Sequence, residues 1–292
     1  MRGLLKLVRC FFVILGLDLY CYSDFIFDKR SHTLIYHSTI GATDETIPTI
    51  SYDTYEGITS EEKQELNTII DNLLSHRQTK LLLEAIALQL KALKHEKQIV
   101  IKIVIQKNDE AKGHGCYCMN PCFFKQKDGS YKLYIYYSDL PKNGIYRPIT
   151  FFLNGRYRMS YLEIPRYIAF AHESAHALNL LETIKNGLEK NLEKLTNEQN
   201  SKNVLEYLSK KIPLEESLTK NSFENLDELS VILGSFHTTS LGPCFLGETV
   251  FLREYYKSIS EQLHFWCWSH SLLEKKFCGL LSQMLKVNLI VI

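Results

Sequence analysis

The chain has 292 residues, of which 45% are hydrophobic and 23% are charged, so it can bury a sizeable core and lies outside the composition of disordered, collagen-like or multi-span membrane proteins. The formal net charge is +1. The chain therefore lacks the excess of basic residues that is typical of proteins that bind the phosphate backbone of nucleic acids. We therefore expect one or two domains and no nucleic acid partner.

The first 23 residues differ in character from the rest of the chain. Arg2, Lys6 and Arg9 precede an apolar run over residues 10–17, and a small-x-small pattern follows it. This layout is typical of a secretory signal peptide, so we interpret residues 1–23 as a candidate signal or export segment. A buried N-terminal helix or strand is the alternative that the residues leave open. The apolar run is too short for a stable membrane anchor.

Two helices are predicted in the N-terminal part, after irregular or short extended structure over residues 31–54. Thr59, with Glu62 three residues later, has the spacing of a capping box that begins a helix through Leu74. A second helix is predicted over residues 80–94, and the two are expected to pack as a helical hairpin. We assign residues 24–97 to this irregular and helical region.

Strands and further helices follow. Alternating apolar residues predict strands over 98–106, 131–137 and 149–153, the second preceded by an Asp128-Gly129 turn. Pro165 suits the first turn of a helix over residues 167–181. Beyond it we expect a Gly/Thr/Ser-rich loop over 234–247 and helices over 204–211, 226–233, 251–265 and 272–287.

The segment 172–176 reads His-Glu-Ser-Ala-His within the predicted helix. Residues four apart project from the same helix face, so His172 and His176 can both present an imidazole nitrogen to one zinc ion. Glu173 can then act as general base towards a zinc-activated water and return the proton to the departing amine. This motif predicts Zn²⁺ as cofactor and hydrolysis of peptide bonds as the reaction.

A zinc site of this kind needs a third protein ligand. The extended H-E-x-x-H-x-x-G-x-x-H pattern fails, because Asn179 replaces the glycine and Glu182 stands at the final ligand position, and a metzincin is therefore disfavoured. The acidic pair Asp227-Glu228 lies in an otherwise apolar segment. We predict Glu228 as the third metal ligand and Asp227 as a group that orients a histidine, although the two can exchange roles. Two solvated helix acids are the structural alternative.

Three stretches of the sequence resemble the NleD-like family of zinc metallopeptidase effectors. They are the Pro-led segment 164–178, the acidic pair 227–228 with Leu229 and Gly234, and Glu248 with the segment 252–256. The resemblance extends loosely over residues 99–257. It implies a secreted, gluzincin-like endopeptidase that is delivered into the cytosol of a host cell and cuts a host signalling protein.

Two further groups of residues could contribute to such a site. Tyr256 or Arg253 is a candidate to stabilise the tetrahedral oxyanion, with Tyr256 the preferred catalytic residue, and His237 could do the same. Ordinary helix packing, or polar surface for the histidine, is the structural alternative. The segment 114–122 holds one histidine and Cys116, Cys118 and Cys122. We favour a loop near the substrate cleft over a structural zinc site there.

Together these patterns predict an α+β, zincin-like fold with a small mixed sheet, a helix that carries the motif and a helical C-terminal portion. The metallopeptidase domain is expected over residues 98–292, with a host protein as substrate. A non-catalytic zinc-containing protein that holds a host partner in the same cleft is the alternative function. A third possibility is a zincin-like fold without metal, in which His172 and His176 merely pack.

Overall fold

The protein was analysed as a computed structural model, which describes residues 23–38, 45–52, 58–107, 122–137, 145–153, 156–187, 230–231, 234–255 and 267–268. The described chain begins with three antiparallel strands, namely β1 (Ser23–Asp28), β2 (Thr33–Ser38) and β3 (Glu45–Tyr52). Alternate residues of β2 are buried, as expected for a strand with one face on the core. The segment predicted as irregular or short extended is thus largely strand.

Helices α1 (Ser60–Ser75) and α2 (Arg77–Lys97) follow β3. The predicted capping box is confirmed: the Thr59 hydroxyl accepts from the Glu62 backbone N–H, and the Glu62 carboxylate accepts from the Thr59 N–H. One face of α1 is buried, where leucine and isoleucine recur with the period of a helix. The two helices contact each other and form the crossover that the parallel strands β3 and β4 require.

Strands β4 (Ile101–Lys107), β5 (Cys122–Lys125) and β6 (Tyr131–Tyr137) complete a six-stranded sheet in the order β1-β2-β3-β4-β6-β5. The sheet is mixed, because β4 pairs in parallel with β3 and β6 whereas the other neighbours are antiparallel. This confirms the expected α+β class with a small mixed sheet. The expected boundary between residues 97 and 98 falls inside this unit, since β3 and β4 lie on either side of it.

Strands β7 (Ile145–Leu153) and β8 (Arg156–Ile164) form an antiparallel pair, and β11 (Cys267–Trp268) adds to the free edge of β7. The strand predicted over 149–153 is the second half of β7. The sequence pattern did not predict β8. It leads through Pro165 directly into the helix that carries the motif.

Helix α3 (Arg166–Lys185) contains the motif and is buried on all sides from Tyr167 to Ile184. It contacts α1, α2 and β6. A helix with no exposed face is normally apolar throughout, yet α3 buries histidine, glutamate, serine, threonine and asparagine side chains. Buried polar groups require hydrogen-bond partners. The Ser174 and Thr183 hydroxyls donate to carbonyl oxygens of α3 itself, whereas other partners come from the segments that follow.

The segment 234–247, predicted as a loop, is instead a β-hairpin of β9 (Ser235–Thr239) and β10 (Gly242–Leu246), so that prediction is wrong. Side chains of β9 alternate between buried and exposed, and the three buried ones, Ser235, His237 and Thr239, are polar. Helix α4 (Glu248–Tyr255) follows and contacts α2, α3 and β10. The expected helical C-terminal portion therefore includes a hairpin and the strand β11, while the helix predicted over 272–287 lies outside the described residues.

Two contacts hold the ends of the helices together. The Glu254 carboxylate of α4 accepts hydrogen bonds from the backbone N–H groups of Arg77 (2.8 Å) and Gln78 (2.9 Å), and so caps the N-terminus of α2. Arg166, the first residue of α3, forms an ion pair with Glu65 of α1. Burial lowers the pKa of the Arg166 guanidinium from its ordinary value.

Candidate metal centre

Helix α3 brings the two motif histidines together. His172, Glu173 and His176 expose 3, 8 and 5% of their surfaces. The Nε2 atoms of His172 and His176 lie 3.2 Å apart. Two nitrogens bound at about 2.0–2.1 Å to one tetrahedral ion lie roughly 3.3 Å apart, so this spacing fits zinc. It also fits a hydrogen bond between the two imidazoles.

Glu248, the first residue of α4, fixes the ring of His172. Its Oε2 atom lies 2.6 Å from Nδ1 of His172, and both side chains are buried. A carboxylate accepts hydrogen bonds, so Nδ1 carries the proton and Nε2 presents its lone pair towards His176. Histidines that ligate a metal usually donate their second ring nitrogen in this way. His172 and His176 therefore fit a zinc ion and would be the residues of α3 that hold it.

A close approach of two glycines sets the position of Glu248. A Cβ atom on Gly247 would collide with the backbone of Gly234 and lie 2.9 Å from the carbonyl oxygen of Val231. Gly234 has φ +99°, and a Cβ there would lie 2.7 Å from Cε1 of Phe245. Glycine is thus needed at both positions, which bring the start of α4 against the chain that precedes β9.

The candidate third ligand lies outside the described residues. This holds for Glu228, for Asp227 and for Tyr256, and only the backbone of Arg253 is described, within α4. Within the described ranges, no group of three or more His, Cys, Asp or Glu residues that could hold a metal is found. The roles predicted for these residues remain predictions.

The cysteine cluster is described in part. Cys116 and Cys118 lie outside the described residues, and the backbone of Cys122 begins β5. Cys244 of β10 is a free thiol, and burial raises its pKa above the ordinary cysteine value. No function of these cysteines follows from the described structure.

Helix α3 continues without interruption through Asn179 and Glu182. At 1.5 Å rise per residue, Glu182 lies about 9 Å along the axis beyond His176 and cannot return to the same ion. The Asn179 Nδ2 atom donates to the Ser230 hydroxyl at 2.8 Å. Glu182 contacts another histidine instead, His237 of β9. The continuous helix agrees with the exclusion of the metzincin pattern.

His237 has partners at both ring nitrogens. Its Nδ1 atom lies 2.8 Å from Glu182 Oε1, and its Nε2 atom lies 2.6 Å from the Ser235 hydroxyl. The suggestion that His237 stabilises an oxyanion at the zinc site is therefore disfavoured, because both nitrogens are engaged elsewhere.

Sequence reasoning did not assign a role at the metal site to Glu248, which is 76 residues from His172 in the chain. Glu248 was noted only as part of the family resemblance, together with the segment 252–256. Neither its spacing nor its surroundings in the sequence indicate a partner in α3. A metal-ligating histidine on a helix does predict an acceptor for its second ring nitrogen. The sequence could therefore have predicted that His172 has such a partner, although not which residue it is.

The chain matches no family model, no curated protein and no solved structure. Among the residues that the structure describes, no helix has the length and hydropathy required to cross a membrane. What the site can do is therefore argued from its own residues.

Proposed function

We propose that the protein is a zinc-dependent peptidase whose metal is held by His172, His176 and Glu228. The observation that carries the proposal is the 3.2 Å approach of the two histidine Nε2 atoms on one buried helix, with Glu173 beside them. Zinc bound there would polarise a substrate carbonyl and activate water for attack. The chemistry of the donors, two imidazoles and a carboxylate, is the set that zinc hydrolases use.

Each residue of the proposed site then has a distinct task. Glu173 accepts the proton of the attacking water and delivers it to the departing amine, so that a neutral amine leaves. Glu248 holds the Nδ1 proton of His172, which keeps the Nε2 lone pair directed at the metal position. Tyr256 is proposed to donate to the oxyanion of the tetrahedral intermediate, with Arg253 as the alternative donor.

The wider role follows from the resemblance to the effector family. We propose that the enzyme is secreted, reaches the cytosol of a host cell and cuts a host protein there. The support is the sequence similarity of segments 164–178, 227–229 and 252–256. The substrate class is a protein, since the reaction proposed for the site is amide hydrolysis.

The test uses the full chain and two readouts. Metal analysis of purified protein is expected to give about one zinc per chain, lost in His176→Ala. Glu173→Gln should keep the zinc and lower cleavage at least about 100-fold, because the general base is removed. The matched control is Glu61→Gln, an exposed acid in the first turn of α1, which should cleave normally.

Cleavage is best detected by labelling new N-termini in a host-cell lysate incubated with the protein. Zinc without any new N-termini would exclude the peptidase and favour a zinc-containing protein that only binds a partner. Protein without zinc after purification in zinc-containing buffer would overturn both functions.

A further inference from the structure

A second buried set of reactive side chains lies where α3 meets the β9–β10 hairpin. Ser235, His237 and Glu182 expose 6, 4 and 5% of their surfaces. The Ser235 hydroxyl lies 2.6 Å from His237 Nε2, and His237 Nδ1 lies 2.8 Å from Glu182 Oε1. The proposed zinc chemistry uses none of these three groups.

The proton positions in this set follow from the donor and acceptor rules. The Glu182 carboxylate accepts, so His237 Nδ1 carries a proton and donates it. Nε2 of the neutral imidazole then holds a lone pair and accepts, which leaves the Ser235 hydroxyl as the donor. An acid that fixes the tautomer, a base and a hydroxyl in this order form the arrangement that activates a serine nucleophile.

Regular elements hold the three side chains. Ser235 and His237 are two residues apart on β9, so they share the buried face of the strand. Glu182 lies in the last two turns of α3. The hairpin turn is held by the Ser240 N–H, which donates to the Glu84 carboxylate of α2 at 3.0 Å. Placement on a strand and a helix keeps such a constellation more precise than placement on loops.

We propose that Ser235 is an activated nucleophile, with His237 as its general base and Glu182 as the residue that orients the base. The Ser235 oxygen attacks an acyl carbon while its proton passes to His237 Nε2. The bond to the leaving group then breaks, the leaving group takes that proton, and an acyl ester on Ser235 remains. Water releases the acid by the same proton transfers.

The substrate class follows from the chemistry of the cluster and from its burial. An activated serine attacks acyl esters, and the three side chains are almost fully buried, so the proposed substrate is a small ester. The proposal does not depend on zinc.

The probe is diisopropyl fluorophosphate, a small uncharged reagent that a serine of this kind attacks with loss of fluoride. The folded full chain is treated in the presence of a zinc chelator and examined by intact mass and peptide mapping. One phosphoryl group on Ser235 is expected. Ser235→Ala should remove it, and His237→Gln and Glu182→Gln should each slow labelling at least about 100-fold.

The matched control is Thr239→Val. Thr239 lies on the same buried face of β9, but its hydroxyl donates to the Gly242 carbonyl oxygen at 2.8 Å and has no imidazole partner. This variant should label at the rate of the unaltered chain. Thermal unfolding of every variant identifies those that remain folded.

Three results would overturn the proposal. They are no adduct on the folded chain, an adduct on a residue other than Ser235, and labelling at an unchanged rate in folded His237→Gln and Glu182→Gln. Peptide mapping of the unaltered protein decides the matter even where Ser235→Ala does not fold. A loss of stability in the variants without any labelling of the unaltered chain would mean that the three residues only anchor the hairpin.

Discussion

The Oε2 atom of Glu248 lies 2.6 Å from Nδ1 of His172, and this contact joins the start of α4 to the middle of α3. It directs the opposite nitrogen of the ring towards His176. Because both side chains are buried, the pair is shielded from competing water. The arrangement links the geometry of the proposed zinc site to a segment 76 residues away.

Glu248→Ala is expected to weaken zinc binding about 10- to 100-fold, the usual effect of removing a group that orients a ligand. Glu248→Gln should lose less zinc affinity, since the amide oxygen of glutamine can still accept a hydrogen bond from Nδ1 of His172. Competition with a chromophoric chelator measures the affinity. Glu254→Ala, on the same helix, is the control: it removes the cap of α2 and about 1 kcal/mol of stability but leaves zinc affinity unchanged. Equal affinities for Glu248→Ala and the unaltered protein would contradict the orienting role.

The third ligand can be identified by paired substitutions. Glu228→Ala should lower zinc affinity more than Asp227→Ala, because loss of a ligand exceeds loss of an orienting group. The same chelator competition measures both. The reverse order would exchange the two roles, and unchanged affinity in both variants would show that the ligand comes from elsewhere.

Gly247→Ala is expected to lower the free energy of unfolding by about 1–3 kcal/mol, since its Cβ would press on the backbone of Gly234 and on the Val231 carbonyl. It should also weaken zinc binding by displacing Glu248. Gly242→Ala is the control. Gly242 has φ +102° but no atom within 4 Å of a Cβ, so its cost is backbone strain alone, and zinc affinity should be preserved. Denaturant unfolding measures stability. Normal stability and normal zinc affinity in Gly247→Ala would refute the role of the close approach between Gly247 and Gly234.

The stability of the contact between the start of β3 and α2 should depend on pH through Glu45. Lys91 and His95 donate to its carboxylate at 2.9 and 2.7 Å and lower its pKa. A carboxyl whose pKa is lower in the folded state stabilises fully above its unfolded value of about 4.3, and the contribution disappears as pH falls through the folded value.

Glu45→Gln should therefore be less stable than the unaltered chain at pH 6, by about 0.2–1 kcal/mol for a partly exposed ion pair. The difference should shrink steadily below about pH 4.3. Chemical denaturation between pH 3 and 6 measures it, with exposed Glu61→Gln as reference. A difference that stays constant down to pH 3 would be inconsistent with this ion pair.

Local interactions made much of the fold predictable. The capping box at Thr59 and the motif helix depend on groups three or four residues apart, so the sequence displays them directly. The β9–β10 hairpin was missed because the buried residues of β9 are polar: Ser235 and His237 face inward, where His237 meets Glu182 of α3. The role of Glu248 was hidden in the same way. The spacing of apolar residues over a few turns or strand positions cannot predict a hydrogen bond between residues 76 positions apart.

The two hydrogen bonds that the Glu254 carboxylate accepts from the start of α2 span 177 and 176 residues of chain. A truncated protein that ends before α4 would lose both this cap and the Glu248 carboxylate that contacts His172. The N-terminal sheet and helices should then be expressed together with the segments through β11, and shorter pieces are poor starting points for biochemistry.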